Sequence, residues 1–295
     1  MMRSPVNGTA GRTPDGEARL RIVDTHLHLI YPDRFDYPWL EGVPALNRAF
    51  TLDDYLAEAR SLGIEAALHM EVDVAEADME AETAFVTGLG PVVVGAIAAC
   101  RPEHADFPAA LDRLAADPKV KGFRRILHQS PDELGLRPLF AENLRRLGPL
   151  GLTFDICVLA RQLPVAIAIA RACPDVQFVL DHCGVPNVKD HALDPWRADM
   201  TALAALPNVA AKISGVIAYG DPQDWTVDDL RPFVEHTIDA FGWDRVVWGS
   251  DHPVCTLTAD LTRWVAATHE LIGGASEDEQ AKLLHGNAER IYRLA

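Results

Sequence analysis

No stretch of this sequence runs for the roughly 18 apolar residues that a membrane-crossing helix needs. Basic residues are few as well: 27 Lys and Arg stand against 43 Asp and Glu, a formal net charge of −16. That balance argues against a nucleic-acid partner and against attraction to an anionic membrane, but leaves room for a local basic pocket. The five cysteines, Cys100, Cys157, Cys173, Cys183 and Cys255, form no Cys-x-x-Cys pair. Neither a disulfide framework nor a zinc knuckle is expected from them. They read as small buried thiols in a reducing cytoplasm. The opening MMRSPVNGTAGRTPDGEARL lacks the apolar core of a secretory signal. It reads as a flexible polar leader over residues 1–20. No linker, low-complexity stretch or internal repeat divides residues 21–295 of the 295, so a single domain is expected there.

What is present is an alternation of short β-rich runs and longer helical segments. Eight runs read as strands: 22–29, 64–72, 92–99, 120–127, 152–158, 177–183, 208–215 and 245–251. Several are near-continuous Val, Ile, Leu and Ala, as strands buried on both faces are. Between them lie helical stretches such as LDDYLAEARSLG, with Thr51 as cap, Asp54 three residues on and Gly63 as stop. Eight strand-helix units in under 300 residues give the arithmetic of a single (β/α)8 barrel. A doubly wound open sheet would show a glycine-rich phosphate turn after strand one. Strand one ends instead in His-Leu-His.

A barrel keeps its chemistry at the C-terminal ends of its strands. The polar residues fall there. His26 and His28 close strand one and, two apart, point to one side. Glu71 follows on strand two, Arg124 and Arg125 on strand four, Asp155 on strand five and His182 on strand six. Lys212 and Ser214 lie on strand seven and Asp251 on strand eight. Three imidazoles and a carboxylate around one point suit Zn²⁺ or a similar divalent ion with a position left for water.

The segments DTHLHL, LDHCG, KISG, WGSDHP and GNAERIYRL resemble the amidohydrolase superfamily, in its amidohydrolase-2 branch of TIM-barrel metal-dependent hydrolases. RFDYPWL after strand one and GFRRIL on strand four are similar to that branch's sugar-lactonase group. The likeness spans about residues 21–295. It implies a metal or reaction centre at His26, His28, His182 and Asp251. The strand-four lysine that bridges two metals in other amidohydrolases is missing, and Arg124 and Arg125 stand there. One divalent ion, zinc first, is therefore expected. A metal-independent variant, with the histidines as direct donors to the substrate carbonyl, is the alternative the group implies.

The reading that follows is a cytoplasmic hydrolase opening a sugar-acid lactone. Asp251 would act as general base, and the metal or the histidines would stabilise the oxyanion. Substrate contacts are expected from Arg124, Lys212, Asp155, Glu71 and Trp39. Arg124 faces inward by alternation with Gly122 and suits a bidentate contact. Asp155 either reads sugar hydroxyls or pairs with Lys212. Glu71 is left open between metal ligand, substrate acceptor and neutraliser of Arg124. Tyr37 and Trp39 form either a wall for the sugar ring or a core cluster. His252 points away from the centre, and His69 and His128 stay outside the catalytic set. A small-molecule substrate is the expected partner, with homo-oligomerisation left open. The rivals are a decarboxylase of an unsaturated acid on the same residues, and a non-catalytic sugar-acid binding protein.

Overall fold

The computed structural model describes residues 20–294. The leader expected over residues 1–20 lies outside them, save for Leu20. Among the described residues no helix is long and apolar enough to cross a membrane.

Eight parallel strands follow one another in sequence order around the sheet. They are β1 (Ile22–Leu27), β2 (Ile64–Met70), β3 (Val93–Ala99) and β4 (Val120–Ile126), then β5 (Thr153–Cys157), β6 (Gln177–Leu180), β7 (Val209–Ile213) and β8 (Val246–Trp248). Each matches one run expected from the sequence. Between β8 and β1 the barrel closes through a few bonds rather than a full ladder. Thr25 Oγ1 donates to the Trp248 carbonyl at 2.7 Å, Asp251 N–H to the His26 carbonyl at 2.9 Å and His28 N–H to the His252 carbonyl at 2.8 Å. The expected (β/α)8 barrel is therefore what the chain forms.

Helix boundaries follow their caps. Thr51 and Asp54 make a reciprocal capping box on the helix Leu52–Ala59, a device worth about 1 kcal/mol. The segment ends at Gly63 in the left-handed region, φ 84°. The longest helix among the described residues, Val227–Phe241, is boxed the same way by Thr226 and Asp229.

Apolar side chains form two main layers. The larger packs the outer helices against the barrel wall, with Tyr55, Phe154, Phe178, Trp196 and Trp264 fully buried. The smaller fills the barrel interior with Val23, Leu68, Ile97, Val179 and Val247. Its floor is the last helix, Asn287–Ile291, which contributes Ala288, Ile291 and the following Tyr292. Asn287 fixes that floor, its Nδ2 donating to the carbonyls of Trp243 and Val246, both at 2.7 Å. The GNAERIYRL segment is thus a structural plug, and the opposite end is free for chemistry.

Candidate active site

β1 carries His26 and, one residue past its end, His28. Their Nε2 atoms lie 3.2 Å apart. His28 Nδ1 faces the Met70 carbonyl at 3.0 Å. A carbonyl only accepts, so Nδ1 holds a proton and Nε2 is the ring atom turned to the centre. His182 and Asp251 do not sit on extended strands as the sequence runs suggested. β6 stops at Leu180 and β8 at Trp248, and both residues lie on turns in the left-handed region, His182 at φ 55° and Asp251 at φ 56°. An L residue at such a φ cannot continue a strand. The turns swing the two side chains over the barrel mouth. Asp251 Oδ1 lies 3.5 Å from His28 Nε2 and 3.7 Å from His26 Nε2, while its Oδ2 lies 3.9 Å from His182 Nδ1. Ser214 Oγ anchors His182 Nδ1 at 2.9 Å. Gly215 allows this approach: a Cβ there would stand 2.4 Å from His182 Nδ1 and 2.7 Å from Asp251 Oδ2.

Ligand atoms of His26, His182 and Asp251 all lie within 4.8 Å of one another. Burial pushes His26 well below the ordinary histidine range, with Lys212 adding to it, and lowers His182 too. Both imidazoles are therefore neutral, the form that binds a metal. Asp251 Oδ2 is buried without a hydrogen-bond partner. His26 Nδ1 lies 3.2 Å from Lys212 Nζ and 3.4 Å from Asp181 Oδ1, and the neutral imidazoles and Asp251 converge on the centre. A convergence of acceptors with an orphaned carboxylate oxygen fits a divalent cation. His28 stands beside the His26, His182 and Asp251 trio rather than within it.

Beneath the centre lies a buried charge layer. Arg124 points inward as expected, but its Nε donates to Glu71 Oε1 at 2.6 Å and its Nη2 to the Glu71 carbonyl at 2.7 Å. Its Nη1 lies 3.4 Å from Asp181 Oδ2 and 3.3 Å from His26 Nε2. Lys212 Nζ meets Asp155 Oδ2 at 2.7 Å and Asp181 Oδ1 at 3.0 Å. Tyr292 reaches up from the plug and donates its hydroxyl to Asp155 Oδ2 at 2.9 Å. Burial works against both cations, but Glu71 keeps Arg124 charged and Asp155 with Asp181 keeps Lys212 charged.

Three of the residues expected to contact substrate are placed away from the cavity wall. Lys212 and Asp155 are fully buried and Glu71 nearly so, and none of them lines the cavity. Of the alternatives, Asp155 pairs with Lys212 and Glu71 neutralises Arg124. The reason is depth: alternation tells which side chains face inward but not how far below the mouth they stop.

Above this layer opens a cavity of about 190 Å³. Trp39 lines it, half-buried, with Nε1 donating to the Val72 carbonyl at 2.8 Å. Tyr37 does not. It packs in the cluster with Ile30, Leu40 and Phe50, so of the two aromatics in that loop only Trp39 reaches the cavity. His128 also lines the cavity, its Nδ1 3.1 Å from Cys157 Sγ. Burial pushes its pKa down to about 4 and raises that of the Cys157 thiol, so the pair is neutral. His69 lies behind the wall as an acceptor for Leu29 N–H at 3.4 Å, and burial takes it down to about 3. His252 points away, packed on Phe50 and Tyr55.

Four residues went unrecognised in the sequence. Asp24 accepts from the N–H groups of His26 and Ser250 at 3.0 and 2.8 Å and from Tyr55 at 2.6 Å, tying β1 to the Asp251 turn. Its signal was its place in DTHLHL. Asp181, next to His182 in LDHCG, joins Lys212, His26 and Arg124. Tyr219 and Asp73 line the cavity from loops, and no strand pattern announced them.

Known proteins are similar to this chain over nearly its whole length. The amidohydrolase family profile matches residues 23–294. An L-fucono-1,5-lactonase of Burkholderia multivorans is 32% identical, over 92% of this chain and 96% of that one. The uncharacterised protein y4mH of Sinorhizobium fredii is 29% identical, over 93% of this chain and 99% of its own length. Among solved structures, a zinc-bound amidohydrolase from Burkholderia multivorans superposes with a TM-score of 0.85 at 28% identity, covering 93% of this chain and 100% of that one. The match over nearly the whole barrel, with the histidines and Asp251 gathered at its mouth, places this chain in the amidohydrolase family.

Proposed function

We propose that this protein is a metal-dependent hydrolase that opens a sugar-acid lactone, an aldonolactone, to the free acid by attack of water on the ring carbonyl. The observation that carries the reading is the Asp251 carboxylate. It is buried, one oxygen has no partner, and it stands against His26, His28 and His182 at the mouth of the cavity. A divalent ion such as zinc, held by His26, His182 and Asp251, would polarise the carbonyl and lower the pKa of water.

The protein's own groups supply the rest. Asp251 Oδ1 faces His26 and His28, leaving Oδ2 to take the proton of the attacking water. The same oxygen returns that proton to the ring oxygen as the ester bond breaks. Trp39 and the apolar side chains of Ile30, Val72 and Ile126 hold one face of the ring and exclude bulk water. The fuconolactonase relative supports a lactone as the substrate class.

The test is a panel of aldonolactones read with a pH indicator, with metal analysis on the same sample. Proton release from lactones, together with a bound divalent ion, is the expected result. Asp251→Asn keeps the shape but cannot accept a proton, so turnover should fall about 10²–10⁴-fold with melting unchanged. Carbon dioxide release from an unsaturated acid, without lactone opening, would make the protein a decarboxylase instead.

A further inference from the structure

Each cation near the cavity is already committed. Arg124 is the one cationic side chain among the described residues lining it, and Glu71 and Asp181 hold it. Arg101 and Arg125, whose fields also reach the Asp73 wall, are paired with Glu76 at 3.4 Å and Glu103 at 2.9 Å. The buried layer sets Arg124 and Lys212 against Glu71, Asp155 and Asp181, before Asp251 and Asp73 are counted. Even a divalent ion at the centre leaves no surplus of positive charge. A substrate carboxylate or sulfonate finds no free cation on this wall.

Asp73 is the acid that wall presents. Its backbone is in the left-handed region at φ 50°, which is uncommon for a residue other than glycine, though Asp and Asn tolerate it best. The conformation is pinned, because Asp73 N–H donates at 2.8 Å to Glu71 Oε2, and Glu71 is gripped by Arg124. Asp73 lines the cavity, and among the described residues no hydrogen bond or salt bridge claims its carboxylate. Burial and the neighbouring Glu71 raise its pKa, as expected for an acceptor left without a partner.

On the lactone-hydrolase reading above, we infer that Asp73 is a specificity-determining residue that accepts ring hydroxyls of a neutral lactone and turns away lactones bearing an anionic group. Two acceptor oxygens held on a fixed backbone suit a pair of neighbouring hydroxyls. The negative charge that binds hydroxyls repels a carboxylate at the same place.

The experiment compares kcat/KM of the wild type, Asp73→Asn and Asp73→Gly on three lactones of one ring size. These are an aldonolactone, the aldarolactone that carries a carboxylate instead, and the unsubstituted ring. Both substitutions tolerate a positive φ, and melting curves check the fold. The wild type should prefer the aldonolactone to the aldarolactone at least about tenfold, with the gap shrinking as salt screens it. Asp73→Asn should close that gap about tenfold by raising the value for the anionic ring and should remove its salt dependence. Asp73→Gly should lower the aldonolactone value about tenfold and leave the bare ring unchanged. A parallel fall on all three lactones, or a wild-type preference for the anionic ring, overturns the role of Asp73 and leaves the lactonase reading standing. A wild type inert on every lactone overturns both.

Discussion

The two ends of the barrel handle buried charge in opposite ways. At the closed end, Lys212 and Tyr292 satisfy Asp155, which takes hydrogen bonds from them at 2.7 Å and 2.9 Å. At the open end, Asp251 keeps an oxygen without a partner, on a left-handed residue, beside neutral imidazoles. Satisfied polar groups rigidify a core, whereas unsatisfied ones cost stability and are retained for chemistry. Substitutions in the lower layer should therefore act on stability, and substitutions in the upper one on turnover.

The largest expected effect comes from the lower layer. Lys212→Met preserves length, leaves Asp155 buried without its cation and leaves Asp181 with Arg124 alone, 3.4 Å away. It should cost about 3–5 kcal/mol of folding free energy, read by denaturant unfolding. A variant as stable as the wild type would mean that the layer is held by something other than its ion pairs.

Gly215→Ala carries the opposite signature. The added Cβ collides with His182 and Asp251, so the two must move apart. A displacement near 1 Å in a catalytic pair is worth about 10² in rate. Lactone turnover should fall by that order, and the fall should exceed any loss in melting temperature. Wild-type turnover in this variant would show that the close approach of the two side chains is not needed.

The smallest effect sharpens the boundary between the ends. Tyr292→Phe removes one donor from Asp155 and nothing from the cavity. A cost of about 1–2 kcal/mol in unfolding is expected, with kcat/KM held within twofold. A large kinetic effect would show that the plug communicates with the centre through Asp155 and Lys212.

Much of this was legible in the sequence. All eight strands appear where apolar runs of Val, Ile, Leu and Ala predicted them, because a strand buried on both faces leaves little alternative. The gathering of His26, His28, His182 and Asp251 was legible too, since strand ends in a barrel converge. Depth was not. Lys212 and Asp155 face inward as alternation requires, yet stop below the mouth, and nothing in the order of residues encodes that level. Loop residues such as Asp73 and Tyr219 were equally hidden, because their positions depend on turns without a repeating period. The turn at His182 was missed for the same reason: an apolar run shows where a strand can form and not where it is broken.

That turn bears on how this protein could be altered. Four successive residues, His182, Cys183, Gly184 and Val185, hold φ between 50° and 70°, and only one of them is glycine. Each non-glycine residue there costs on the order of 1–3 kcal/mol, most heavily for the branched valine. A screen that rewards heat resistance alone would find its easiest gains by relaxing this segment, and with it the placement of His182. Variants chosen for longevity would lose the reaction first, so any improvement programme must select for both properties at once.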